Sequence, residues 1–442
     1  MRRLRISSRM EGKKKKTRFL SKYSFFFICL LIPLSLSLYV TSCKRVYKNP
    51  VVIWTDRAEF ASYAELFNTS QEVCKVSIVY KKNLARLFPL AKGEPFPDLL
   101  IGSWLKNSQT KKFTSSLDYM FSDLKLNRSV FYTQLLESGQ INDAQYLIPV
   151  SFNLPTILFS KENANLISEN YLLSPDQIRD IAAEYNEKKD GRTYNKMGYG
   201  LNWNQDFLYE IAKLQNVDFK EQGRSFSWDD EALKKTLAYM QDWTETANDS
   251  TNSEKDFAFK YLYTPFYQQV HQKRSLFAYT HSNRFLDLPV DKIEALDFRW
   301  LQGNQKIPVI DDIVYLGMYR HSKNTDAASI FINWFFKEAT QKQILERQVK
   351  MNLKTSTFGI ADGFSSIKSV TERVFPIFYP ILLKNLPSPE SLIAPNMYPP
   401  RWDAIRETII KPYLLEASES PEPEKKILSL EERIKDWTKQ NY

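Results

Sequence analysis

Apolar residues fall into short β-rich runs separated by stretches of helical period. Val51-Val52-Ile53-Trp54-Thr55 precedes the polar turn Asp56-Arg57-Ala58-Glu59, and Phe60, Ala64 and Phe67 then line one face of a predicted helix. A second strand is predicted at 76–80 and a helix at 83–92. Gly93-Glu94-Pro95-Phe96-Pro97 breaks that helix before a third strand at 98–102. This alternation predicts a mostly parallel sheet with helices on its faces. Residues 149–159 read as an extended segment interrupted by Pro155. Residues 170–250 read as helical, with Trp203, Phe207, Leu208 and Ile211 on one stripe. Further strands are predicted at 275–280 and 308–318, and an amphipathic helix at 327–348. After a polar, proline-bearing linker at 418–424, Ile427, Leu430, Ile434 and Trp437 repeat at helical spacing. They predict a terminal helix docked on the body, with a partner-binding helix as the alternative.

The head of the chain has a different grammar. A basic stretch runs into sixteen mostly apolar residues, 25–40, followed by Thr41-Ser42-Cys43. A positive region, a short apolar stretch and small residues before a cut describe a secretory signal peptide. The apolar run is broken by Pro33, Ser35 and Ser37 and falls short of the ~20 residues that span a bilayer. The Val40-Thr41-Ser42-Cys43 ending resembles a loose bacterial lipobox, which implies that Cys43 is acylated, palmitate included, and becomes the first residue of the mature chain. An uncleaved anchor helix is the alternative. Either way the remainder is exported to face the periplasm or exterior. The start is Met1 or Met10.

Composition then narrows the function. The formal charge of +10 invites a nucleic-acid reading, but residues 1–42 hold ten Lys/Arg against the single acid Glu11, leaving +1 on the other 400 residues. No nucleic-acid partner is expected from so neutral a body. Of the three cysteines, Cys29 leaves with the signal and Cys43 carries lipid, so Cys74 stands alone in a β-branched run and is expected to be a buried strand thiol. His271, His281 and His321 are isolated, with no zinc spacing. No phosphate-loop, nucleophile-elbow or His-Glu-x-x-His motif occurs, and 12 glycines in 442 residues is well below the usual ~7%. Adjacent acids such as Asp311-Asp312 would point to opposite faces of a strand, so they suggest no glycosidase pair. No enzyme, cofactor or metal is expected.

Several ordered stretches carry a resemblance: residues 52–57, 97–102, 148–155, 277–283, 328–336 and 394–402, the last ending Tyr398-Pro399-Pro400-Arg401-Trp402. Together they resemble the extracellular solute-binding proteins (family 1) of ABC importers, and within them the sugar-binding group. The resemblance implies an α/β, two-lobed periplasmic-binding-protein-like fold (type II), with hinge strands near 152–155 and 305–309 and a ligand cleft between the lobes. It implies a first lobe of residues 50–150 plus 309–340 and a second of 151–308 plus 341–415. Residues 1–42 are then signal, 43–49 a lipid-anchored tether, and 416–442 a linker and C-terminal helix. The implied partners are a small-molecule solute of the sugar class, an ABC permease, and the bilayer through acylated Cys43. An exported lipoprotein hydrolase or a surface recognition protein is the alternative.

Sugars offer apolar C–H faces and hydroxyls, so their sites combine flat aromatics with planar polar groups. The resemblance places ligand contacts on Asp56, Arg57, Ser103, Trp104, Asn153, Trp203, Ser282, Asn283, Arg284 and Trp402. Each has a structural reading beside it. Asp56 caps a helix, Arg57 pairs with a neighbouring acid, and Trp104, Trp203 and Trp402 are core, as expected for Trp54, Trp228, Trp243, Trp300, Trp334 and Trp437. An Arg284 facing the cleft would favour an acidic or sulfated sugar.

Overall fold

The computed structural model describes residues 47–90, 92–122, 125–223, 225–351, 357–419 and 427–441; the expected signal peptide and Cys43 lie outside them. Strands of the two main sheets are, in chain order, β1 (Val51–Thr55), β2 (Val76–Tyr80), β3 (Leu99–Ser103), β4 (Thr114–Ser115), β5 (Leu147–Phe152), β6 (Pro155–Ser160), β7 (Leu172–Leu173), β8 (Ala278–His281), β9 (Leu296–Leu301), β10 (Val314–Tyr319) and β11 (Phe364–Ser365). The first sheet has the order β11-β5-β10-β3-β1-β2, with β4 on β10, and the second β8-β6-β9-β7. β1 lies between β2 and β3, parallel to both, with Ile53 opposite Ile78 and Leu99. β10 returns antiparallel between β3 and β5.

The continuous apolar run of β1 follows from cover on both faces. Helix α1 (Phe60–Ser70) buries Phe60, Tyr63, Ala64 and Phe67. Phe60 meets Phe335, and Phe67 meets Phe331, both on α4 (Thr325–Phe335). The second lobe gathers Ile157, Phe159, Phe207, Leu208, Trp243, Tyr279 and Trp402 into one core around α2 (Gln205–Leu214). The short helix α3 (Ser282–Leu286) follows β8 directly, and α6 (Lys411–Ser418) packs on α2. Helix α7 (Leu430–Asn441) docks on this core through Leu430, Ile434 and Trp437.

The chain passes between the sheets three times. Phe152 ends β5 and Pro155 opens β6; the later passages run side by side, pairing Ile307-Pro308 with Leu392-Ile393.

Several expectations are corrected. The described residues of 83–92 hold a 3₁₀ turn, Leu84–Arg86, in place of the expected helix. Within 170–250, the expected helices are interrupted by the hairpins Glu187–Lys189/Thr193–Lys196 and Lys220–Gln222/Ser225–Ser227. The helix at 327–348 is two, α4 and α5 (Glu338–Met351). The segment beyond 341 does not go straight to the second lobe. Gln341 accepts a hydrogen bond from Ser365 at 2.5 Å, and Phe364-Ser365 joins the first sheet against Phe152-Ser151. Cys74 is free and buried, just before β2.

Candidate functional site

From β1 the chain goes to β2 on one side, and from there to β3 on the other. In an open α/β sheet such a reversal leaves a crevice at the carboxyl ends of the strands. The loops leaving those ends carry Asp56-Arg57, Lys81-Lys82-Asn83 and Trp104. A cavity of about 260 Å³ opens there. Its walls are Asp56, Arg57, Lys82, Arg86, Ser103 and Trp104 from the first lobe, Asp312 from the second passage, and Arg401 and Asp403 from the second lobe. The volume lies just below the roughly 300–1,000 Å³ of sites for drug-sized ligands.

Arg57 organises the buried part. Its Nη2 donates to Ser103 Oγ, its Nε lies 3.4 Å from Asp56 Oδ1, and its Nη1 lies 3.7 Å from Asp362 Oδ2. Ser103 Oγ donates to the carbonyl of Asp312 at 3.0 Å, linking the first sheet to the hinge. Gly102 is needed for this approach, because a Cβ there would sit 2.8 Å from Asp56 Oδ1. Asp56 Oδ1 and Arg57 Nε are shielded from solvent without a hydrogen-bond partner. Burial pushes the Asp56 carboxyl up against the opposing pull of Arg57. Asp362 is pushed up to about 6 by burial, although Asn283 and Arg57 favour its charge.

The lobes meet over the cavity. Arg86 pairs with Asp403, Ser108 N donates to Glu221 Oε2 at 3.0 Å, and Lys106 Nζ donates to the Pro395 carbonyl at 3.2 Å. Burial pulls Lys106 down to about 8. Trp104 reaches across with its ring 5.1 Å from the Arg406 guanidinium. Its φ of 64° is left-handed backbone, which costs a bulky residue about 1–3 kcal/mol and is held by these contacts.

On the second-lobe side, Asp311 is well satisfied. Asp311 accepts from Tyr209 Oη at 2.6 Å, Lys213 Nζ at 2.9 Å and Tyr398 Oη at 3.1 Å, with Arg406 3.7 Å away. Burial opposes its charge, but Lys213 and Arg406 outweigh it and hold the carboxyl below the usual range. Burial raises neighbouring Glu210 to about 7. It also pushes His281 down to about 4, with Asp206 4.0 Å away, so this imidazole is neutral at pH 7.

Among the expected site residues, Asp56, Arg57, Ser103 and Trp104 come together around the cavity. Asn153, Ser282 and Asn283 instead lock the first passage between sheets. Asn153 Nδ2 donates to the Asp362 carbonyl at 2.8 Å and its Oδ1 accepts from Ser282 at 2.8 Å, so its amide is spent on the hinge. Asn283 Nδ2 donates to Asp362 Oδ2 at 2.8 Å. Arg284 is exposed at the end of α3 and does not line the cavity. Trp203 stacks on Phe257, with centroids 5.3 Å apart, and donates to the Glu254 carbonyl. Trp402 is 2% exposed, stacked on Tyr398 at 4.6 Å and edged by Phe226 at 5.1 Å. Neither Trp203 nor Trp402 offers a platform to the main cavity: their faces are covered by aromatics of their own lobe. The residues missed were Lys82, Arg86, Asp312, Arg401 and Asp403. The first two follow the second strand, where the rule applied to the first and third strands would have found them.

No protein-family model and no curated protein matches the sequence. Solved structures do. The sugar-binding protein MalE from Xanthomonas citri aligns with a TM-score of 0.66 at 11% identity, over 89% of this chain and 96% of that one. The cyclic α-maltosyl-1,6-maltose binding protein from Arthrobacter globiformis aligns with a TM-score of 0.60 at 15% identity, over 88% and 97%. An extracellular solute-binding protein of family 1 from Alicyclobacillus acidocaldarius gives 0.58 at 13%, over 89% and 98%. The chain has the two-lobed α/β fold of these solute-binding proteins.

Proposed function

We propose that the protein is a lipid-anchored, extracytoplasmic solute-binding protein, a member of the sugar-binding group, which captures a carbohydrate between its lobes and passes it to an ABC permease. The observation that carries this reading is the cavity at the strand-order reversal, closed over by the second lobe and lined by the polar and charged side chains of Asp56, Arg57 and Ser103. Its polarity matches a sugar, and solved structures of the same fold bind sugars by name, including maltose-type and mannobiose ligands. Binding works by lobe closure: the three passages bend, Arg86 meets Asp403, and the solute is shut in. The anchor rests on the basic head, the apolar stretch and Cys43. No reaction is assigned to the site; bound solute is expected to be recovered unchanged.

A thermal-shift screen of mono- and oligosaccharides, amino acids and polyamines tests the reading. A cognate sugar at ~100 times its dissociation constant should stabilise by about 2.7 kcal/mol. Stabilisation by amino acids or polyamines alone would overturn the carbohydrate assignment. For the anchor, Cys43→Ser should move the protein out of the membrane fraction; a mature-sized Cys43→Ser product that stays there would defeat lipidation.

A further inference from the structure

The second-lobe rim of the cavity is gripped from outside by the C-terminal helix. Helix α7 follows the polar linker at 418–424 and opens with a capping box: Ser429 Oγ accepts from Glu432 N at 3.3 Å, and Glu432 Oε2 accepts from Ser429 N at 2.8 Å. Leu430 is buried, and Ile434 and Trp437 are half-buried against the second-lobe core. Arg433 donates to Glu416 Oε2 of α6 at 2.5 Å, and its guanidinium lies 5.4 Å from the Tyr413 ring. Its 12 residues are too few for a stable helix alone in water, so α7 depends on this seat.

The seat lies behind the solute cavity. Ile434 and Trp437 face Phe226, Pro399 and Ile405 across a cleft of about 50 Å³. In the chain, Pro399 and Ile405 stand on either side of Arg401 and Asp403, which line the cavity. Arg401 turns the chain through left-handed backbone, at a φ of 66°, into the helical turn Trp402–Ile405, and such backbone persists only where its surroundings hold it. Phe226 belongs to the hairpin that carries Glu221, whose N donates to the Met397 carbonyl at 2.8 Å. Hairpin and rim segment thus form one platform under α7. The three polar contacts that cross between the lobes over the cavity all end on it: Asp403 takes Arg86, Glu221 takes the Ser108 amide, and the Pro395 carbonyl takes Lys106. Residues of α7 take part in none of the three.

We infer that α7 is a C-terminal brace: seated on Phe226, Pro399 and Ile405, it positions Arg401, Asp403 and Glu221 so that the second lobe closes over the cavity. Ile434 and Trp437 are positioning residues and touch no solute. Loosening the brace lowers the population of the closed arrangement, and the apparent affinity for solute falls by the same factor. The effect on affinity rests on the binding function proposed above; the effect on the contact between lobes does not.

The test reads hydrogen exchange at single-residue resolution in the full-length protein in neutral detergent. The Ser108 amide is donated across the lobes, so its exchange reports their contact, whereas the amides of Asn107 and Gln109 are bonded within their own loop and serve as controls. In the double variant Ile434→Ala/Trp437→Ala, Ser108 should exchange about fivefold or more faster, with Asn107, Gln109, β1 and β6 unchanged. Trp437→Phe should restore most of the protection, Arg433→Gln should act in the same direction but less, and Lys435→Ala, on the exposed face of α7, should match the wild type. Calorimetric titration with maltose and mannobiose as probes should show affinity falling about three- to tenfold in the double variant, in step with Ser108 exchange. Free exchange throughout α7 with Ser108 still protected would overturn the brace, because the helix would then have left its seat without loosening the lobes. Equal quickening of Ser108, β1 and β6 would also overturn it, making α7 a support of the whole fold. A wild type that binds neither sugar would count against the carbohydrate reading, and the exchange comparison would still decide the brace.

Discussion

The two walls of the cleft are built from the same residue types and behave oppositely. On the first-lobe wall, Asp56 and Arg57 face each other at 3.4 Å, with one polar atom of each left without a hydrogen bond and a cavity beside them. On the second-lobe wall, Asp311 meets two tyrosines, a lysine and an arginine, and its carboxylate is sealed from solvent. A carboxylate that takes three hydrogen bonds, faces a fourth cationic group and is sealed from solvent is closed to a ligand; its work is to hold tyrosines, lysine and arginine in register. A carboxylate that lines a cavity with lone pairs to spare can accept a hydrogen bond from a ligand hydroxyl. Saturation, rather than residue type, separates frame from site.

The largest effects should come from the second-lobe side. Asp311→Ala takes the shared counter-charge from Lys213 and Arg406, leaves them only Glu210 and Glu407, and strips two tyrosines of their acceptor, so the cost should reach about 3 kcal/mol, the low end for a broken buried pair. Urea unfolding should show that loss. If Asp311→Ala unfolds like the wild type but loses ligand affinity, this wall belongs to the site and the division is wrong.

Trp402 ranks with it, its ring parallel to Tyr398 within the second-lobe core. Trp402→Ala should cost about 3–5 kcal/mol of stability, relieved in part by collapse of the core, and leave the affinity of the folded protein unchanged. A normal melting temperature with weakened sugar binding would return Trp402 to the site. This residue also marks the boundary of what sequence could disclose. Strands β1 to β3 were legible because apolar runs broken by polar turns announce both the strands and the groups at their ends; Asp56, Arg57, Ser103 and Trp104 followed. Trp203 and Trp402 looked equally suited to a cleft, each beside polar residues at the start of a helix. Trp203 is covered by Phe257, 54 positions away, which no local pattern encodes; Trp402 is stacked on Tyr398, four positions before it, and its burial is completed by Phe226, 176 positions away. Asn153 was placed at the hinge by its proline-bearing segment, but its commitment to Ser282 and Asp362 depends on contacts over a hundred residues distant.

On the unsaturated wall the order of effects reverses, with affinity moving more than stability. Gly102→Ala puts a methyl where Asp56 Oδ1 now lies 2.8 Å from the Cβ position, so the carboxyl must turn away. Overpacking of this kind costs about 1–3 kcal/mol at most sites, and here a side chain at the cavity's edge can yield, which keeps the stability loss at the low end. Sugar affinity should fall at least about tenfold, equivalent to about 1.4 kcal/mol in binding. Equal affinity in calorimetry would mean that Asp56 does not touch the solute.

The smallest expected effect, and the sharpest in sign, concerns Asp362 where the two lobes meet. Its carboxylate accepts from Asn283 and lies 3.7 Å from Arg57, with Glu59 and Asp312 adding negative potential, and burial outweighs the favourable partners. In the folded chain it therefore keeps its proton up to about pH 6, against an ordinary value of 3.8 when unfolded. Between those values the folded state binds more protons, so acidification from pH 7 to 4 favours folding through this group, and the gain is lost as pH rises through 6. Neutral His281 works the other way, because its lowered value penalises the fold as pH falls below 6.5. Comparing the wild type with Asp362→Asn cancels His281, which both proteins share. Relative to Asp362→Asn, the wild type should gain stability of order 1 kcal/mol on going from pH 7 to pH 4.5, read from urea midpoints at each pH. Parallel profiles would mean that Asp362 is ionised throughout and that its pairing with Arg57 is stronger than burial. Asp362 would then belong with Asp311 among the saturated groups, and the line between frame and site would run through the first lobe instead of between the two.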